Sequence, residues 1–149
     1  MRLPVRLNGA NVMLEARADE ALLTALRRHG LRSVRSSCEI GVCGACTVLL
    51  DGQAVSSCLL LAPMARGRDV FTMEGVGAGD PVAGAFMEHA AYQCGYCSPG
   101  FILTIKALLA ENPSPTQAEL KEALGGNLCR CGSYVRILRA ATAAIAPSA

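Results

Sequence analysis

Eight cysteines fall into two sets of four, and their spacing constrains the fold of this 149-residue chain more than any other feature. The first set reads Cys38-x4-Cys43-x2-Cys46, with eleven residues between Cys46 and Cys58. A tight x4, x2 run with a distant fourth cysteine is the plant-type ligand pattern of a 2Fe-2S cluster. The loop from Cys38 to Cys46 folds around the cluster and presents three thiolates, while the fourth arrives from the far strand of the next hairpin. Gly41 and Gly44 suit that loop, because they take positive φ and let backbone N–H groups approach the sulfurs. The second set is Cys94-x2-Cys97 with Cys129-x-Cys131. Four thiolates at the loop ends of a helical half could equally hold a zinc ion, although the tight Cys129-Arg-Cys131 pair fits zinc spacing poorly. A second iron-sulfur cluster is the favoured reading, with a two-zinc interaction module kept as an alternative.

In a small secreted protein eight cysteines would indicate a disulfide framework. The N-terminal run Met1-Arg-Leu-Pro-Val-Arg-Leu-Asn-Gly9 has no apolar core of signal-peptide length, and no stretch approaches a membrane span. The expectation is therefore a cytoplasmic protein whose thiols serve metal or redox chemistry. A net charge of only +2, with Lys and Arg scattered, gives nucleic acid no groove to follow.

The first half carries strand signals. Val5 and Leu7 precede Asn8-Gly9, with Val12 and Leu14 beyond, which predicts a hairpin. Asp19 is positioned to cap a helix bearing Leu22, Ala25 and Leu26, and Gly30 to end it. Thr47-Val-Leu-Leu50, Asp51-Gly52 and Ala54-Val-Ser-Ser-Cys58 predict a second hairpin, and Val70-Phe-Thr-Met73 a last strand. A mixed sheet clasping one helix packs these elements. After a glycine-rich linker from Gly75 to Asp80, the signals turn helical. Asp80-Pro81 opens a helix through about Ala91, Ser98-Pro99 one through about Glu111, and Thr116 with Glu119 makes a capping box for a third. Ser133 is placed to cap a fourth, with Ile137, Ala140, Ala141 and Ile145 on one stripe. The chain thus reads as α+β, with domains at 1–75 and 76–149.

No independent catalytic apparatus is evident. His29 and His89 are isolated, Glu39 and Glu88 read as solvated charges, and every cysteine already has a place in a set. Two one-electron centres in a small chain make a wire.

The run Cys38-Glu-Ile-Gly-Val-Cys-Gly-Ala-Cys-Thr-Val48, then Cys58, Gln93-Cys-Gly-Tyr-Cys-Ser-Pro-Gly100 and Gly126-Asn-Leu-Cys-Arg-Cys131 resemble the iron-sulfur subunit of the molybdenum hydroxylases. That family includes xanthine dehydrogenase, aldehyde oxidoreductase and carbon monoxide dehydrogenase. The resemblance implies a ferredoxin-like β-grasp domain followed by a four-helix bundle. It implies that a cluster on Cys94, Cys97, Cys129 and Cys131 lies beside the molybdopterin of a large partner subunit, with Gln93 and Cys131 nearest the pterin. A cluster on Cys38, Cys43, Cys46 and Cys58 then passes electrons outward, to FAD in a medium subunit or to another acceptor. After the last cysteine the chain reads Cys131-Gly-Ser-Tyr-Val-Arg136, where many members have Thr-Gly-Tyr. That form is similar to the small subunits of isoquinoline- and nicotinate-oxidising enzymes, and it leaves the flavin partner open. The competing function is a free-standing ferredoxin-like carrier, suggested by the first four cysteines alone.

Overall fold

A computed structural model describes residues 1–145; positions 146–149, the end of the expected helical half, lie outside the described residues. Strand β1 (Arg2–Leu7) alternates, with Leu3, Val5 and Leu7 buried and Arg2, Pro4 and Arg6 exposed, as a strand with one buried face must. Asn8 and Gly9 both take positive φ, the backbone of a type I′ turn, and return the chain as antiparallel β2 (Ala10–Glu15). Asp51 and Gly52 repeat the device between β3 (Thr47–Leu50) and β4 (Gln53–Ser56). Strand β5 (Asp69–Phe71) inserts between the two hairpins, parallel to β1 and antiparallel to β3, giving the mixed order β2-β1-β5-β3-β4.

Helix α1 (Leu22–Arg28) packs Leu22 and Leu26 with Leu3, Leu14, Val48 and Val70 in the first core. The expected Asp19 cap is not formed. Asp19 instead pairs with Arg17 at 3.1 Å, and α1 begins after Ala21 without a side-chain cap. Its first amides are met by a neighbouring loop, Leu22 N–H donating to Leu60 O at 2.7 Å and Leu23 N–H to Ser57 O at 3.1 Å. Tertiary carbonyls thus do the work that a local carboxylate was expected to do. The last strands also end earlier than expected. β4 stops at Ser56, leaving Cys58 in the following turn, and β5 gives way to a 3₁₀ turn at Met73–Gly75.

The helical half comprises α2 (Pro81–Glu88), α3 (Ser98–Glu111), α4 (Gln117–Leu124) and α5 (Tyr134–Ala143). Phe86, Phe101, Ile105, Leu120 and Ile137 fill their shared core, and Ile145 packs against it. Asp80 caps α2, accepting from Val82 and Ala83 N–H at 3.0 Å each, and its other oxygen is held by Lys106 of α3. That helix is shorter than expected because the chain turns at Ala90, which has φ of 45°. The Thr116–Glu119 capping box is present on α4. Ser133 occupies the N-cap position of α5, but its side chain caps nothing.

The two halves meet where α3 lies on β3. All four residues of β3 are buried, so this strand is covered on both faces, with Val48 and Leu50 in the first core and α3 on the other side. At the N-terminal end of α3 the approach is so close that a Cβ on Gly100 would stand 2.3 Å from the Gly44 carbonyl oxygen. Gly100→Ala must therefore push backbone against backbone, and overpacking of this kind costs about 1–3 kcal/mol. A lower urea midpoint by circular dichroism is the expected result. Asp80→Ala removes a cap worth about 1 kcal/mol. Burial raises the Asp80 pKa, but Lys106 and the helix amides outweigh it and hold the carboxyl below its usual range. The stability that Asp80 supplies is therefore complete above the ordinary carboxylate pKa and is lost as pH falls through its lowered one. A denaturation series from neutral to acid pH should show Asp80→Ala converging on the parent at the acid end.

Candidate metal centres

All eight cysteines are free thiols. In the first set Cys46 is buried at the foot of β3, Cys38 and Cys43 lie in the preceding loop, and Cys58 comes in just beyond β4. The loop turns its amides onto the sulfurs. Cys43 N–H donates to Cys38 Sγ at 3.4 Å and Ala45 N–H to Cys43 Sγ at 3.5 Å, with Gly41 and Gly44 at φ of 76° and 68°. The Ile40 amide, followed by that of Cys43, draws the Cys38 thiol down to about 6. Burial pushes Cys58 up to about 11, helped by the neighbouring Cys46. The same pocket therefore favours thiolate at its rim and penalises uncompensated charge at its back.

The second set is built by helix ends. Cys97 immediately precedes α3, Cys94 is exposed on the loop before it, and Cys129 and Cys131 lie between α4 and α5. Tyr96 N–H donates to Cys94 Sγ at 3.5 Å and lowers its pKa, and Cys131 adds to the effect. Burial sends Cys97 to about 12. Burial also works to raise Cys129, but the Ser133 N–H at 3.4 Å and the Cys97 thiol outweigh it, so that this thiol is lowered.

Within each set the thiols lie close enough to act on one another: Cys46 and Cys38 both act on Cys58, and Cys129 and Cys94 both act on Cys97. Among the described residues no group of three or more His, Cys, Asp or Glu side chains is arranged to hold a single metal ion. The tight Cys129-Arg-Cys131 pair fits the spacing of a tetrahedral zinc site poorly. Four thiols per set, with backbone amides turned onto their sulfurs, suit a 2Fe-2S centre. Two hydroxyls support the same fit. Ser98 Oγ and Ser133 Oγ, next to the second set, are buried without a hydrogen-bond partner, and a sulfide-bearing group offers acceptors there.

Gln93 and Cys131 are brought together, Gln93 Nε2 donating to the Cys131 carbonyl at 3.0 Å on an exposed face. His29 and His89 end α1 and α2 respectively. Glu88 is exposed, whereas Glu39 has φ of 56° and accepts from Ser36 Oγ, which makes it a loop-shaping residue rather than a free charge.

Several residues that join the sets escape notice in the sequence. Leu128 N–H donates to the Cys43 carbonyl at 2.9 Å, and the buried Asn127 donates through Nδ2 to Gly44 O at 3.2 Å. Asn127 also accepts from Thr104 Oγ1 at 3.1 Å. Tyr96 OH donates to Ser36 O at 2.6 Å, with the Arg35 guanidinium 5.2 Å from the ring centroid. In the sequence the Gly126-Asn-Leu run counts only as part of the motif that carries the resemblance, and only contact across 83 residues reveals what the Asn127 amide does.

Two family models match. Residues 5–70 match a 2Fe-2S iron-sulfur cluster binding domain and residues 72–142 a [2Fe-2S] binding domain. The nicotine 6-hydroxylase small subunit of Paenarthrobacter nicotinovorans is 46% identical over 143 residues, covering 94% of this chain and 87% of that one. The structure of quinoline 2-oxidoreductase from Pseudomonas putida 86 superposes with a TM-score of 0.91 at 40% identity, over 95% of this chain and 90% of that chain. Aldehyde oxidoreductase from Desulfovibrio gigas gives a TM-score of 0.93 at 35% identity, over 98% of this chain but 17% of that much longer one. With both halves matched and both thiol sets in place, the chain belongs to the family of small, two-domain 2Fe-2S electron-transfer subunits of the molybdenum hydroxylases.

Proposed function

We propose that Cys38, Cys43, Cys46 and Cys58 hold one 2Fe-2S cluster and Cys94, Cys97, Cys129 and Cys131 the other, in domains divided near residues 75–76. The observation that carries this assignment is that backbone amides converge on sulfurs of both sets, on Cys38 and Cys43 in the first and on Cys94 and Cys129 in the second. Two separate buried cores support the division. When bound, each cluster supplies a one-electron acceptor and donor. The chain's own residues hold these centres, turn amides toward their sulfurs and tie the two loops together through Leu128 and Cys43.

The second set receives electrons from the molybdopterin of a large partner subunit. Its exposed Cys94 and the exposed Gln93–Cys131 contact give a partner access to one edge of this set. Gln93 and Cys131 are the residues we assign to the pterin side. The first set passes electrons on, to FAD in a medium subunit or to another acceptor. Ile40, Val42 and Leu59 form an exposed apolar rim around it, suited to protein contact. No helix of the described residues is long and apolar enough to cross a membrane, and eight free thiols suit a reducing cytoplasm.

The purified holoenzyme should contain iron and acid-labile sulfide in equal amounts and co-purify with a molybdenum chain. Zinc without sulfide would refute the ligand assignment. In rapid-freeze EPR, Cys94→Ser or Cys129→Ser should block reduction of both centres by substrate. Cys43→Ser should leave the centre of the second set reducible while stopping electron exit. Identical patterns in these variants would overturn the proposed order.

A further inference from the structure

Ser133 stands where two observations meet. Its residue is 2% exposed, and its buried hydroxyl oxygen meets hydrogen-bond geometry with no group, while standing close enough to the Cys129 thiol to help lower its pKa. A serine at the N-cap of a helix ordinarily spends its oxygen on the first turn, yet here the side chain accepts from none of the α5 amides. The backbone of the same residue already serves the metal set, since Ser133 N–H donates to Cys129 Sγ at 3.4 Å. Tyr134 completes the arrangement by accepting from Cys129 N–H at 2.8 Å. The Gly132-Ser133-Tyr134 segment is thus folded around Cys129, with one donor left over. A buried hydroxyl is rarely left unpaired without a functional reason, and sulfur is the acceptor chemistry next to it.

We infer that the Ser133 hydroxyl donates a hydrogen bond to the sulfur of the cluster held by Cys94, Cys97, Cys129 and Cys131, and so raises its reduction potential. The inference rests on the ligand assignment proposed above. On reduction this centre gains one electron, no bond forms or breaks, and the proton stays on Ser133 Oγ. A donor aimed at sulfur stabilises the more negative, reduced state more than the oxidised one, which moves the potential upward. Ser133 is accordingly a tuning residue. It makes the centre on the molybdenum side easier to fill than its ligands alone would.

The test is an EPR-monitored redox titration of the holoenzyme carrying Ser133→Ala, Ser133→Gly or Ser133→Thr. The centre of the second set should become harder to reduce in the Ala and Gly variants, shifting the electron's distribution between the two centres several-fold toward the first. The potential of the first set should not move, and Thr, which keeps the hydroxyl, should restore the parent value. In deuterium oxide, pulsed EPR of the reduced second centre should lose one strongly coupled exchangeable deuteron in Ser133→Ala. An unchanged potential and deuteron coupling, or an equal shift at both centres, overturns the inference while leaving the ligand assignment standing. A shift confined to the signal that Cys43→Ser abolishes would refute the ligand assignment, and the inference with it.

Discussion

The arrangement hinges on the Gly44 carbonyl. It accepts from Thr47 Oγ1 at 2.7 Å within its own loop and from Asn127 Nδ2 at 3.2 Å in the other half, while Gly100 leaves it room by having no side chain. Because Gly44 lies between Cys43 and Cys46, and Asn127 lies two residues before Cys129, this contact fixes one thiol loop against the other. Thr104 orients the Asn127 amide by donating to its oxygen. Every polar atom in the group has a partner, and a buried polar network holds a geometry only when that is so.

From that anchor each half can meet opposing demands. A cluster ligand must be a thiolate, yet a sulfur buried in protein resists charge. The fold separates the two problems in space. Cys38 and Cys94 are served by backbone amides at the rim, whereas Cys58 and Cys97 sit where burial drives the thiol pKa to about 11 and about 12. A bound metal group supplies the positive charge that compensates the latter pair. Helix α3 links this electrostatic demand to packing, since Cys97 precedes it, Gly100 opens its first turn and Phe101 enters the helical core.

Local chemistry was legible wherever it was self-contained. The Asn8-Gly9 and Asp51-Gly52 turns, the Asp80 cap and the Thr116–Glu119 box each depend on residues a few positions apart. Asp19 and Ser133 carry the same signals and fail as caps. In the first case Leu60 and Ser57 carbonyls already occupy the α1 amides, and in the second the segment turns toward Cys129 instead. A capping residue states what a helix end accepts locally, but a distant partner with better geometry displaces it.

The sequence by itself determined the cysteine sets, the change from strands to helices near residue 75 and the approximate place of each element, because spacing and periodicity are properties of neighbours along the chain. Only the tertiary structure decided how the sets relate. The nearness of Cys46 to Cys58 and of Cys97 to Cys129, the Leu128–Cys43 hydrogen bond and the buried Asn127 amide all join residues whose proximity no local pattern encodes, and the burial of the Ser133 hydroxyl is equally non-local. Their physical meaning lies in burial and in which polar atoms remain unpaired, and both are settled only when the two halves close on each other.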